Sequence, residues 1–110
     1  MAYDAIFLCA IDIIMKAEKV IRDRKLFEDG HIMEVVVWLV PTKVPPSKHR
    51  YKYRLFYGQK GTRKIGYDNE RGKGDHKHIY DKEYPYTFIS LAQLLDDFET
   101  DVSIERGEAI

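Results

Sequence analysis

The chain has 110 residues, of which 45% are hydrophobic and 33% are charged, which is the composition of one globular domain with its own core. A single cysteine, Cys9, excludes an intramolecular disulfide and a cysteine-based zinc cage. The longest apolar run, residues 5–11, is too short for a membrane span and no lysine or arginine precedes it, so we expect a cytoplasmic protein with no secretion signal and no membrane partner.

The formal net charge of zero hides an uneven distribution along the chain. Residues 1–42 contain five basic and seven acidic residues (net −2), residues 43–82 twelve and four (net +8), and residues 83–110 one and seven (net −6). Seven of the eight tyrosines lie between Tyr51 and Tyr86. Basic residues interleaved with aromatic ones are typical of surfaces that bind single-stranded nucleic acid, because cations contact phosphates and rings stack on unpaired bases. A tyrosine-rich sheet with solvated lysines is the alternative.

The first half of the chain predicts a helix followed by a hairpin. Apolar residues recur at helical spacing over residues 5–14, which indicates a short amphipathic helix. Residues 19–27 are typical of a strand, and the following Asp29-Gly30 pair favours a tight hairpin turn. Residues 32–40 are rich in β-branched residues and apolar on both faces except at Glu34, which favours a central strand that ends at Pro41.

The second half predicts further short strands and a final helix. Residues 49–57 alternate between apolar or tyrosine positions and positions that are mostly cationic, as in a strand with two different faces. Residues 63–67 and 76–80 favour two more strands. Ser90 is a good N-cap for a helix whose apolar stripe ends at Val102 and whose acidic residues face water. We expect residues 103–110 to fray.

These elements together predict an α+β fold in a single domain over residues 1–110. The expected architecture is a small antiparallel sheet of about four to five strands, with a C-terminal helix and a short N-terminal helix packed on one face.

Residues 67–78 contain the densest set of chemically active side chains. His76 and His78 share one side of an extended strand, and two imidazoles with pKa values near neutrality can divide general-base and general-acid work. Nearby cations can stabilise the charge that develops on a reacting phosphate. The predicted catalytic residues are His76, His78, Asp68, Lys73 and Arg71.

Two further residue sets follow from the same region. The predicted nucleic-acid-binding residues are Arg50, Lys52, Arg54, Tyr57, Tyr67 and Lys77. The alternative to acid–base chemistry is a metal site formed by Asp75, His76 and His78, with Asp68 as a further ligand. The leading interpretation needs neither a metal nor any other cofactor.

Three stretches resemble one protein family: residues 49–57, residues 67–78, and residues 85–90 leading into Leu94 and Phe98. They are similar to the TumE-like toxins of prokaryotic type II toxin–antitoxin modules, over about residues 15–102. The resemblance implies a small ribonuclease toxin that is neutralised by a protein antitoxin. Residues 1–14 then become an N-terminal extension that caps the sheet or joins two subunits in a homodimer.

The resulting hypothesis is a metal-independent endoribonuclease in which a histidine or carboxylate activates the 2′-hydroxyl of RNA. One alternative is a nucleic-acid-binding module without catalysis. Another is a metal-dependent nuclease that uses the Asp/His cluster.

Overall fold

The computed structural model describes residues 17–70 and 72–110, so the helix predicted over residues 5–14 and the candidate catalytic residue Arg71 lie outside the described residues. Within the described part, six antiparallel strands form one sheet in chain order, and a single helix packs on it. The strands are β1 (Glu18–Leu26), β2 (Ile32–Leu39), β3 (Tyr51–Gln59), β4 (Thr62–Asp68), β5 (His76–Ile79) and β6 (Lys82–Pro85), and the helix is α1 (Leu91–Arg106). The predicted α+β fold with a C-terminal helix is confirmed, and β6 exceeds the expected strand count.

The hairpins follow from local sequence. The Asp29-Gly30 pair lies in the turn between β1 and β2, where the Phe27 amide donates a hydrogen bond of 2.9 Å to the His31 carbonyl. The apolar strand β2 lies inside the sheet between β1 and β3, as predicted. Strands β3 and β4 pair directly, and the register shifts between Tyr57 and Gly58. This irregularity changes which residues of β4 oppose β3.

The core lies between the sheet and α1. Leu94, Phe98 and Val102 are fully buried on the helix, so the predicted apolar stripe is confirmed. The Phe98 ring meets Tyr67 edge-on, with 5.8 Å between ring centres. The sheet contributes buried residues from three adjacent strands: Val35, Val37, Tyr53, Leu55, Tyr57, Ile65 and Tyr67. No helix of the described residues has the length and apolar character needed to cross a membrane.

Both ends of α1 are capped. The Ser90 hydroxyl accepts a hydrogen bond of 3.0 Å from the Gln93 amide, as predicted. The helix does not fray after Val102 but continues to Arg106. The Arg106 guanidinium lies 3.9 Å from the centre of the Phe27 ring and donates a hydrogen bond of 2.9 Å to the Tyr57 hydroxyl. This cation–π contact ties the end of the helix to the first hairpin.

Two acidic residues of α1 face the sheet, where the sequence pattern predicted that they face water. The Tyr67 hydroxyl donates a hydrogen bond to Asp101, and the Tyr86 hydroxyl donates one of 2.6 Å to Asp97. Burial, together with these hydrogen bonds, raises the pKa of both tyrosines. The helix is therefore attached to the sheet by polar contacts as well as by its apolar stripe.

Candidate functional site

The candidate site lies on the side of the sheet opposite α1. Residues that pair directly across antiparallel strands point to the same side, so the register defines two rows that run across the sheet. One row is Arg22, Val36, Arg54, Asp68 and His76, and the other is Arg24, Glu34, Phe56, Gly66, His78 and Glu83. We call these two rows the histidine face. The hairpin pairing of β3 with β4 places Arg54 opposite Asp68.

Asp68, His76 and His78 come together on this face as an Asp–His–His cluster. The Nε2 atom of His76 lies 2.7 Å from Oδ1 of Asp68, and Nε2 of His78 lies 3.9 Å from the other carboxylate oxygen. The ligand-type atoms of the three side chains all lie within 4.8 Å of one another. Three of the predicted catalytic residues are therefore neighbours in the structure.

The backbone of the preceding loop fixes the orientation of His76. Its Nδ1 atom lies 2.9 Å from the carbonyl oxygen of Gly74, which can only accept, so Nδ1 holds a proton. Gly74 has φ +79°, and a Cβ there would lie 3.1 Å from a ring carbon of Pro46. Glycine allows this backbone conformation at low cost. His76 is buried, with 4% of the residue exposed, and the Nε2 edge of its imidazole faces Asp68.

The Asp68 carboxylate is incompletely satisfied. Its Oδ1 atom is buried and accepts no hydrogen bond from the described part of the chain. The 2.7 Å contact with His76 has the length of an ion pair but lacks the direction of a hydrogen bond. A buried carboxylate oxygen without a donor is costly, so this oxygen is poised to meet a proton or a cation.

A cleft of about 340 Å³ adjoins the cluster. Its lining includes Arg54, Arg63 and Asp68. A Cβ on Gly66 would lie 2.6 Å from Cδ of Arg63, so the absence of a side chain at Gly66 makes room for the arginine. Gly66 is also the cross-strand partner of His78, and the Arg63 side chain therefore lies beside that histidine. Burial lowers the pKa of His78, and the positive charge of Arg63 lowers it further.

Lys73 and Glu83 lie at the edge of the cluster. The Lys73 ammonium lies 3.6 Å from one carboxylate oxygen of Glu83, and the other oxygen of Glu83 lies 4.0 Å from Nε2 of His76. Lys73 is exposed, and it reaches the histidine face through this acidic residue.

The predicted nucleic-acid-binding residues divide between the two sides of the sheet. Lys52 is the register partner of Trp38 and belongs to the same side as Arg54. Tyr57 and Tyr67 are 2% and 1% exposed in the core beneath α1, so their rings cannot stack on bases there. Lys77 also lies on the helix side, with its ammonium 3.2 Å from Asp101.

The remaining predicted cation, Arg50, precedes β3 and is exposed, and one of its guanidinium nitrogens lies 3.5 Å from the Val40 carbonyl. The revised cationic surface therefore consists of four arginines and one lysine on the same side of the sheet as the histidine face: Arg22, Arg24, Lys52, Arg54 and Arg63.

Asp75 lies away from the two histidines, so the alternative metal set of Asp75, His76 and His78 does not come together. The Asp75 carboxylate accepts hydrogen bonds from the Ser47 hydroxyl, the Tyr53 hydroxyl at 2.7 Å and Nε2 of His49 at 2.8 Å. Nδ1 of His49 accepts from the Tyr51 amide, which leaves the proton on Nε2. Burial acts to raise the pKa of Asp75, but the three hydrogen bonds outweigh it and the net pKa is lowered.

Arg63 and Glu83 were missed at the sequence level. Arg63 reaches the cluster through the register shift at Tyr57 and Gly58, and no local residue pattern indicates such a shift. Glu83 belongs to β6, a strand that we did not predict. Tyr80 and Asp81 connect β5 to β6, and they are not one of the residue pairs that mark a tight hairpin turn, so no local signal indicated this strand.

The fold and the cluster define a small α+β domain that presents a carboxylate and two imidazoles beside arginines on one side of a meander sheet. The family model described as Toxin TumE matches residues 11–106 of this chain. The chain therefore belongs to the TumE family of toxins from toxin–antitoxin systems, and this membership implies a cognate antitoxin as its partner. Comparisons with curated proteins and with solved structures gave no match.

Proposed function

We propose that this toxin is an endoribonuclease that cleaves RNA by metal-independent acid–base chemistry at the Asp–His–His cluster. The observation that supports the proposal is the position of the cluster beside a cleft lined by Arg54 and Arg63. A phosphodiester in that cleft would have cations next to its charge and two imidazoles within one cluster.

His78 is the better candidate for the general base. Its lowered pKa keeps the ring neutral near pH 7, so that it can accept a proton. In the proposed reaction the proton of the ribose 2′-hydroxyl moves to His78, and the 2′-oxygen forms a bond to phosphorus. The bond from phosphorus to the 5′-oxygen then breaks, which leaves a 2′,3′-cyclic phosphate on one fragment.

His76 is the candidate for the general acid that protonates the departing 5′-oxygen. In its protonated form, the ring keeps its Nδ1 proton on the Gly74 carbonyl at 2.9 Å, and the proton on Nε2, beside the Asp68 carboxylate at 2.7 Å, is the one that would pass to the 5′-oxygen. Asp68 then acts as a positioning residue, because its carboxylate faces Nε2 of His76. Arg63 and Arg54 would stabilise the extra negative charge on phosphorus-bound oxygens in the transition state.

RNA is the proposed substrate because this reaction requires a 2′-hydroxyl. The cations of the histidine face would hold the flanking phosphates, with no need for base stacking by the buried tyrosines.

Cleavage of end-labelled RNA by the purified protein in the presence of EDTA tests the proposal, with DNA of the same sequence as the substrate control. RNA should be cut to products that end in a 2′,3′-cyclic phosphate, and DNA should remain intact. The double variant His76→Ala, His78→Ala should lose at least about 10²-fold in rate, the lower end of what acid–base groups contribute.

The matched control is His31→Gln. His31 also pairs with a carboxylate, that of Asp29 at 3.0 Å, but it lies at the first hairpin turn outside the histidine face. This variant should cleave at the parental rate. RNA that is bound but left uncut by the parent protein would contradict catalysis and favour the binding-module alternative.

A further inference from the structure

We propose that Asp68, His76 and His78 form a binding site for one divalent cation of the zinc class, and that this ion switches RNA cleavage off. The binding follows from the geometry of the cluster alone, whereas the effect on cleavage rests on the proposed function.

The first argument is the arrangement of proton donors and acceptors. When the His76 ring is neutral, its proton on Nδ1 is directed to the Gly74 carbonyl, so the Nε2 lone pair faces Asp68. Two acceptors only 2.7 Å apart repel each other unless a positive charge lies between or beside them. The donor-free Oδ1 of Asp68 shows that hydrogen bonds from the described residues do not meet this need.

The second argument is the outer contact of His76. Histidines that bind metal ions usually donate their other ring N–H to a carbonyl or carboxylate, which fixes the tautomer and the ring orientation. The bond from Nδ1 of His76 to the Gly74 carbonyl has this form, and the positive φ of Gly74 helps to build it.

The third argument is the spacing of the donor atoms. Zinc lies about 2.0–2.1 Å from nitrogen and oxygen ligands in a tetrahedral site, so two ligand atoms are about 3.4 Å apart. The separations of 2.7 and 3.9 Å between Asp68 and the two histidines lie on either side of that value. The first separation is to Oδ1 of Asp68 and the second to Oδ2, and the donor atoms of the three side chains all lie within 4.8 Å of one another, so the set would close around one ion through small side-chain rotations.

Two imidazoles and one carboxylate favour a zinc-class ion over magnesium or calcium, which prefer oxygen ligands alone. Three protein ligands leave the fourth tetrahedral position for water or a phosphate oxygen. Asp68 lines the cleft, so that position is next to the expected place of the substrate.

Binding would remove the chemistry proposed for the free protein. An ion that takes the Nε2 lone pairs of both His76 and His78 leaves no base to accept the 2′-hydroxyl proton and no imidazolium to protonate the leaving oxygen. Cleavage should therefore fall as the ion binds and recover when a chelator removes it.

The test uses untagged full-length protein that has been treated with EDTA and then dialysed. Isothermal titration with Zn²⁺ should show one ion per chain. Co²⁺ should give the visible absorption of a tetrahedral site. Asp68→Asn and His78→Gln should each weaken the affinity at least tenfold, His31→Gln should leave it unchanged, and circular dichroism should confirm that each variant is folded.

The outcomes separate this inference from the proposed function. If the parent binds no ion, or if both cluster variants bind as well as the parent, the site is wrong while metal-free cleavage can stand. If the EDTA-treated protein is inactive and Zn²⁺ restores cleavage, the site stands while metal-independent catalysis and inhibition by the ion are both wrong. If the loaded protein cleaves as fast as the free protein, the inhibition is wrong.

Discussion

Replacing Asp75 with asparagine keeps the shape of this side chain but removes its charge. The carboxylate accepts hydrogen bonds from Ser47, Tyr53 and His49, which join β3 and the loop before it to the start of β5. A hydrogen bond to a charged acceptor contributes about 1.5–3 kcal/mol, against about 1 kcal/mol for a neutral one. The asparagine amide also turns an NH₂ group toward donors, which leaves at least one of them unsatisfied.

We expect Asp75→Asn to lower the free energy of unfolding by about 2–4 kcal/mol, since the losses in one network do not simply add. For a domain of this size, each kcal/mol corresponds to a fall of about 4–8 °C in melting temperature. Urea unfolding followed by circular dichroism measures the change, with the exposed Asp81→Asn as the matched control.

The contribution of Asp75 to the free energy of unfolding should depend on pH in a defined direction. The pKa of Asp75 is lower in the folded protein than its ordinary value of 3.8, so the folded state binds fewer protons than the unfolded state. The stabilising effect is fully present above the unfolded pKa and is lost as pH falls through the folded pKa. The difference in stability between parent and variant should therefore narrow below about pH 4.

Measurements of RNA cleavage and Zn²⁺ binding test whether Asp75 has a structural role only. Asp75 lies outside the Asp–His–His cluster, so the folded Asp75→Asn variant should cleave RNA and bind Zn²⁺ like the parent at low temperature. Parental stability would show that the structural role of Asp75 is wrong. A folded variant without cleavage would show that Asp75 belongs to the site.

Three further predictions concern the core and the histidine face. Phe98→Ala should lower the free energy of unfolding by about 3–5 kcal/mol in urea, and Leu95→Ala by less because Leu95 is half-buried, so equal losses would contradict the packing. The cleavage rate should fall as pH drops below about 6.5 through the lowered pKa of His78, since the base must be unprotonated, and a flat profile from pH 5 to 8 would exclude His78 as the base. RNA affinity should fall tenfold or more between about 50 and 200 mM salt. The double variant Lys52→Gln, Arg54→Gln should reduce the slope of the logarithm of the binding constant against the logarithm of the salt concentration by about two, and an unchanged slope would show that neither residue belongs to the binding surface.

Local signals in the sequence predicted much of the fold. Asp29-Gly30 marks the first hairpin because a tight turn requires residues that tolerate its backbone conformation, and Ser90 marks the start of α1 because its hydroxyl can cap the Gln93 amide. The alternation in β3 assigned Tyr53 and Arg54 to opposite sides of the sheet, since successive side chains of a strand must point to opposite faces. These predictions depend on interactions within a few residues.

The errors concern interactions between distant residues. A helical pattern shows which side of α1 is apolar, but it does not show that Asp97 and Asp101 accept hydrogen bonds from Tyr86 and Tyr67. The site was predicted only in part for the same reason. The alternation along the strand places His76 and His78 together, whereas the contribution of Arg63 depends on a register shift in the pairing of β3 with β4. Such contacts depend on the pairing of strands and helix in the tertiary structure, and no local sequence pattern predicts them.

The strand order of the sheet has a consequence for the synthesis of this toxin. Each described strand pairs only with its neighbours in the chain, so the sheet can form hairpin by hairpin with small loop-closure costs as the chain leaves the ribosome. The helix that covers the core follows all six strands, and until it emerges the sheet lacks Phe98 and the acceptors for its tyrosines. We therefore expect nascent chains that stop before α1 to expose an apolar sheet that is open to chaperones and proteases. If translation stops before α1 is made, we therefore expect the product to be a fragment that proteases degrade and not an active toxin.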